Sequence, residues 1–105
     1  MDEHLVRLHI PIRGEMGDDE EFEKWSNLQT TLDAAARSAG VGYLDGNEVG
    51  GEVFTIWMYG REAAPLAEVV KSTALDHNLP LGCFIFIRHG GTGDSSAKEE
   101  SWSIT

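Results

Sequence analysis

Apolar residues in this chain recur with period two in three places, and with a period of three to four in two places between them. That interleaving constrains the fold more than any other feature. Between Leu5 and Ile12, the residues Val6, Leu8, Ile10 and Ile12 fall on one side and Leu5, Arg7 and His9 on the other, the pattern of a half-buried strand. Pro11 lies near its end, where a missing N–H is tolerated. A helix over 19–39 follows, capped by Asp18 or Asp19, with Glu20, Glu21 and Glu23 in the turns where carboxylates complement free N–H groups. Its apolar stripe is Phe22, Trp25, Leu28, Leu32, Ala35 and Ala39, and Gly40 stops it.

A short strand over 41–45 comes next, then a turn signal in Asp45-Gly46-Asn47 and a longer strand over 52–59. The pair Gly50-Gly51 marks either a bulge or the turn itself. In the longer strand Phe54, Ile56 and Met58 share one face, and Val53, Thr55, Trp57 and Tyr59 the other. A second helix over 61–78 carries Leu66, Val69, Val70, Thr73 and His77 inward and admits Pro65 only in its first turn. The last strand, 81–88, alternates Cys83, Ile85 and Ile87 with Phe84 and Phe86. Residues 91–105, rich in Gly, Ser and charge, read as a flexible polar tail, which Trp102 is placed to pin down.

The expected architecture is therefore one α+β domain over residues 1–90: a βαββαβ sandwich of the ferredoxin-like class. Its four-stranded antiparallel sheet carries two helices on one face, with the first and third strands central because βαβ crossovers are right-handed.

Such a sheet has a second face. With Val6, Leu8, Ile10, Phe54, Ile56 and Met58 turned to the helices, the other side carries Arg7, His9, Thr55, Trp57 and Tyr59, beside Leu5. Phe84 and Phe86, or else Cys83 and Ile85, join it from the last strand. Several large side chains there amount to a patch that calls for a cover. A second copy of the chain packed face to face, a ligand or partner protein, and the chain's own tail through Trp102 are the three candidates.

Composition narrows the functions. A net charge of −10 from 18 acidic and 8 basic residues argues against binding nucleic acid or an anionic membrane surface, and favours a cationic partner if there is one. Cys83 is the single cysteine and sits in an apolar run, so a buried, inert thiol and a reducing cytoplasm are expected. The acidic start of the chain does not resemble a signal peptide. His4, His9, His77 and His89 share no metal-ligand spacing, and phosphate-binding glycine loops and nucleophile elbows are missing; no cofactor is expected. The segment Asp45 to Glu52 begins like a calcium loop, but Val49 and Ile56 stand where oxygen ligands belong, leaving at most a looser cation site of Asp45, Glu48 and Glu52.

The stretch Gly42-Tyr43-Leu44-Asp45-Gly46-Asn47-Glu48-Val49-Gly50-Gly51-Glu52, followed by Val53 to Gly60 ending in Tyr-Gly, resembles a family of small uncharacterised bacterial proteins. Those carry a "DGNE-x-G-G-G-E" hairpin, an aromatic strand and a following helix; this chain is one glycine short of the pattern, and the likeness spans about residues 40–90. It implies the ferredoxin-like fold and no activity.

Three functions follow as expectations. The first is a non-catalytic binding or regulatory domain that forms a homodimer through the open sheet face. The second is an acidic, immunity-type inhibitor of a basic protein. The third is a small enzyme using His9 with a carboxylate from Asp45, Glu48 or Glu52.

Overall fold

A computed structural model describes residues 3–14, 18–91 and 93–105. It is α+β, with β1 (His4–Pro11), α1 (Asp19–Ala39), β2 (Tyr43–Gly50), β3 (Val53–Gly60), α2 (Ala63–Leu75), β4 (Phe84–His89) and β5 (Lys98–Ser103) in chain order. The strands form a single antiparallel sheet in the order β2-β3-β1-β4-β5. No helix among the described residues is long and apolar enough to cross a membrane.

The alternation in β1, β3 and β4 sorts side chains as their spacing predicts. Val6, Leu8, Ile10, Phe54, Ile56, Met58, Ile85 and Ile87 are all buried in one core with Leu28, Leu32, Leu66 and Val70 from the helices. In α1 the stripe is narrower than the sequence suggests. Trp25, Leu28, Leu32 and Ala36 are buried, whereas Phe22 is half exposed and meets Phe54 edge to face. The Asp18 carboxylate accepts the Glu21 N–H at 2.8 Å and the Glu21 carboxylate faces the Asp18 N–H, a reciprocal capping box that uses the acidic cluster structurally.

The second helix is shorter than expected, ending at Leu75 rather than 78. Its N-cap, Glu62, makes no side-chain cap bond; instead His4 of β1 accepts the Ala63 N–H through Nδ1 at 3.0 Å. The strand thus caps a helix remote in sequence, which no local motif announces.

Two further corrections concern the sheet edges. The expected turn at Asp45-Gly46-Asn47 lies inside β2: Leu44 pairs with Met58 and Gly46 with Trp57, so Asp45 is the extra residue of a bulge. The hairpin instead turns at Gly51 (φ 57°) and Glu52 (φ 65°), between paired Gly50 and Val53. Positive φ at both central residues is the mark of a type I′ turn, whose twist suits the flanking strands. The expected four-stranded sheet has a fifth strand, because the segment read as a polar tail pairs with β4 as β5. Trp102 pairs with Ile85 on the helix side and packs with Ile104 against the core, with the Lys71 ammonium 5.9 Å from the indole centroid. It therefore sits on the face opposite to the one for which it was one of three candidate covers.

Candidate binding face

The pairing register lays out the uncovered face in rows that run across the strands. Gly46, Trp57, Arg7, Phe86 and Ser101 form one row; Glu48, Thr55, His9, Phe84 and Ser103 form the next. Beyond the first lies Tyr43-Tyr59-Leu5-Arg88-Glu99, and beyond the second Gly50-Val53-Pro11. Residues paired across an antiparallel sheet point to the same side. All seven residues expected on this face (Arg7, His9, Thr55, Trp57, Tyr59, Phe84 and Phe86) lie there, and Phe84 and Phe86 rather than Cys83 and Ile85 come from β4. Cys83 is buried, which pushes its thiol pKa up against the opposing effect of the Thr105 hydrogen bond.

Arg7 is central. Its guanidinium carbon lies 4.1 Å from the Phe86 ring centroid and 5.0 Å from that of Trp57, so the cation is clamped between two aromatic faces from the flanking strands. One row on, the His9 ring stacks on Phe84 at 4.3 Å with the planes 5° apart. Burial, and then the neighbouring Arg7 charge, pushes the His9 pKa down to about 4 from 6.5, so the ring is neutral at neutral pH and keeps one nitrogen as an acceptor.

These two side chains are also incompletely satisfied. Arg7 Nε and His9 Nε2 are buried with no hydrogen-bond partner among the described residues. A buried polar atom left unpaired costs about 1–3 kcal/mol. Two such atoms on alternate residues of the central strand are a specific departure from ordinary packing. The face's other arginine differs: Arg88 meets Glu99 at 2.7 Å and donates to the Asp94 and Gly91 carbonyls. Its charge is answered within the chain.

Other candidate residues are dispersed. Asp45 lies at the bulge, Glu48 on the open face of edge strand β2, and Glu52 in the turn. No group of three or more His, Cys, Asp or Glu side chains placed to hold a metal ion occurs among the described residues. Glu48 shares the His9 row, but Thr55 stands between them, a backbone separation of about 10 Å. His77 Nδ1 lies 3.1 Å from the Thr73 carbonyl, and His89 meets Glu100 at 2.8 Å, both on the helix side.

Sequence reasoning missed the part of the face that β5 supplies, Ser101 and Ser103. The alternation of Glu100, Trp102 and Ile104 with serines was its only signal. It also missed a groove of about 530 Å³ at the start of α1, lined by Ile12, Trp25, Lys24 and Pro80 among others. There the Lys24 ammonium sits 4.6 Å from the Trp25 ring centroid and donates to the Asn78 carbonyl, while Trp25 Nε1 is buried without an acceptor among the described residues.

Comparison with known proteins returns no matching family model, no matching curated protein and no matching solved structure.

Proposed function

We propose that this chain is a non-catalytic binding or regulatory domain of the ferredoxin-like class that works as a homodimer, its open sheet face being the contact surface. The strand order β2-β3-β1-β4, with β5 added at one edge, supports the fold reading. The observation that carries the functional reading is Arg7: a cation clamped between Trp57 and Phe86 in the middle of a face that no helix covers. Such an arrangement suits a surface that is completed from outside the chain.

Size supports the same reading. Five strands about 4.8 Å apart and six to eight residues long make a face about 20–25 Å on each side. That is on the scale of the roughly 800 Å² per partner in a standard interface. The chain's own C-terminal segment does not compete for it, because Trp102 packs on the helix side. The buried lone thiol fits a reducing cytoplasm.

Sedimentation equilibrium tests the proposal. The wild-type chain is expected to be dimeric at micromolar concentration, and Trp57→Glu, which puts a charge in the centre of the face, to be monomeric with unchanged circular dichroism. A wild type that stays monomeric and a Trp57→Glu that behaves identically would sink it. A second reading, an acidic cap for a basic protein, is favoured by the net charge of −10. It predicts a complex that raised salt dissolves.

A further inference from the structure

We propose that His4 is a pH-sensitive latch: its neutral ring fastens the start of α2 to β1, and proton uptake lets that turn go. The Ala63 N–H donates to His4 Nδ1 at 3.0 Å, so Nδ1 is the bare nitrogen of the ring. A neutral imidazole has only one bare nitrogen, and an incoming proton must bind there. It therefore takes the place of the Ala63 N–H. Imidazole is also the side chain that ordinarily changes charge between about pH 5 and 8.

Protonation acts twice on the same turn. It removes the acceptor, and it sets a positive charge at the positive end of a 13-residue helix. No local group takes over: Glu62, the N-cap residue, makes no side-chain cap bond, and the first turn of α2 holds no acidic residue. Ala63 is 1% exposed, which keeps water from serving its N–H instead. The first helix is fastened differently. There the Asp18 carboxylate accepts the Glu21 N–H, and a carboxylate keeps its lone pairs through the range in which an imidazole loses its own.

The charged and titratable neighbours of His4 come from four elements. Glu3 precedes it and accepts the Tyr43 hydroxyl; Arg61 and Glu62 lead into α2; Gly60, its partner on β3, brings no charge. On β4 the His89 ring meets it edge-on, with centroids 6.2 Å apart. His89 lies 2.8 Å from the Glu100 carboxylate of β5, so a charge there is answered. Among the described residues no carboxylate pairs with His4.

The release is local. A Cβ on Gly60 would stand 2.1 Å from the Val41 carbonyl oxygen, and Leu66 is fully buried, so the chain is fixed on either side of residues 61–64. Arg61 and Glu62 form one wall of a groove of about 310 Å³ against Gly40 and Val41, and the open latch reshapes it.

Amide exchange followed by NMR between pH 7.5 and 5.5, with rates corrected for the intrinsic pH dependence of exchange, reads the latch. In the wild-type chain, protection of the Ala63 amide should fall at least about tenfold relative to that of Glu21, with the midpoint at which the His4 ring titrates in the same samples. His4→Asn places an amide oxygen where Nδ1 stands, an acceptor that takes no proton in this range, and should hold the same ratio within about twofold. His89→Gln should leave the wild-type response intact. Ala63 protection that persists while His4 titrates overturns the latch, as does an equal fall in His4→Asn. A response abolished by His89→Gln overturns it too, and assigns the titration to the neighbouring ring. Should His4→Asn fail to fold, the wild-type titration and His89→Gln still decide.

Discussion

The two faces of the sheet are built from the same strands and solve different problems. On the helix side, the buried residues of β1, β3 and β4 are aliphatic apart from Phe54 and Met58, and among the described residues the core they join is apolar. On the other side, the same strands contribute Arg7, His9, Thr55, three large aromatics and Tyr59, with two buried nitrogens unpaired. Burying apolar surface stabilises a fold without demanding direction, at about 25 cal/mol per Å². Leaving a guanidinium Nε and an imidazole nitrogen dry and unpaired works against it. Within two residues, a strand thus passes from a side that buries apolar surface to one that leaves polar atoms unpaired.

That contrast can be broken most forcefully on the covered side. Leu8→Ala removes a side chain that is 1% exposed on the central strand, and should cost about 2–5 kcal/mol in urea unfolding. An equal loss from Phe86→Ala would mean that the open face is as much a part of the core as the helix side, and the distinction between them would collapse.

Acid sharpens the comparison from the open side. His9 in the folded chain titrates near 4, well below its ordinary 6.5, so the native state takes up its proton later than the unfolded state. Stability is then complete above about 6.5 and declines as the pH falls towards 4. The groups around the ring are Arg7 on its own strand, Thr55 and Phe84 across the pairs, and Glu48 one strand further out. His9→Phe should flatten that decline in a series of urea titrations between the two pH values. If the decline persists undiminished, its source lies elsewhere.

The smallest effect concerns how the helices are tied to the sheet. α1 carries its own cap in Asp18, whereas α2 borrows His4 from β1. His4→Ala should cost about 1 kcal/mol, similar to the loss of a conventional cap, with hydrogen exchange rising first at the start of α2. Unaltered exchange there would show that the cap bond contributes nothing.

Legibility in the sequence followed the same division. β1, α1 and β3 were readable to within about a residue, because each has one face in a large core and the core imposes its period. Arg7, His9, Thr55, Trp57 and Tyr59 followed from that period by alternation, whereas on β4 alternation left Phe84 and Phe86 or Cys83 and Ile85 open until the pairing register chose the first pair. β2 misled, because Asp45-Gly46-Asn47 has turn chemistry while its place is fixed by pairing with β3; Gly51 and Glu52, with the free hairpin end, took the turn. β5 was unreadable for a different reason. Lys-Glu-Glu-Ser-Trp-Ser is an edge strand that contributes one large apolar side chain, and its order comes from the β4 ladder and from Ile104 and Thr105 reaching back to Cys83 and Pro80. What the face does was legible only as excess aromatic surface. The clamp on Arg7 and the orphaned nitrogens needed three strands in register.

The position of β1 has a kinetic side. Among the described strands, the first in chain order is the middle one of the sheet, and each of its partners, β3 and β4, lies beyond a helix. Its ladders cannot begin to close until β3 exists, and closing such long loops is slow. The β2–β3 hairpin, by contrast, needs only its own Gly51-Glu52 turn and is expected to form first. Until β1 slots in, the apolar edge of β3 stands open, so an interval of sticky, half-built sheet accompanies every synthesis. Pulse-labelled amide exchange should find the hairpin protected before β1, and simultaneous protection of both would remove that interval.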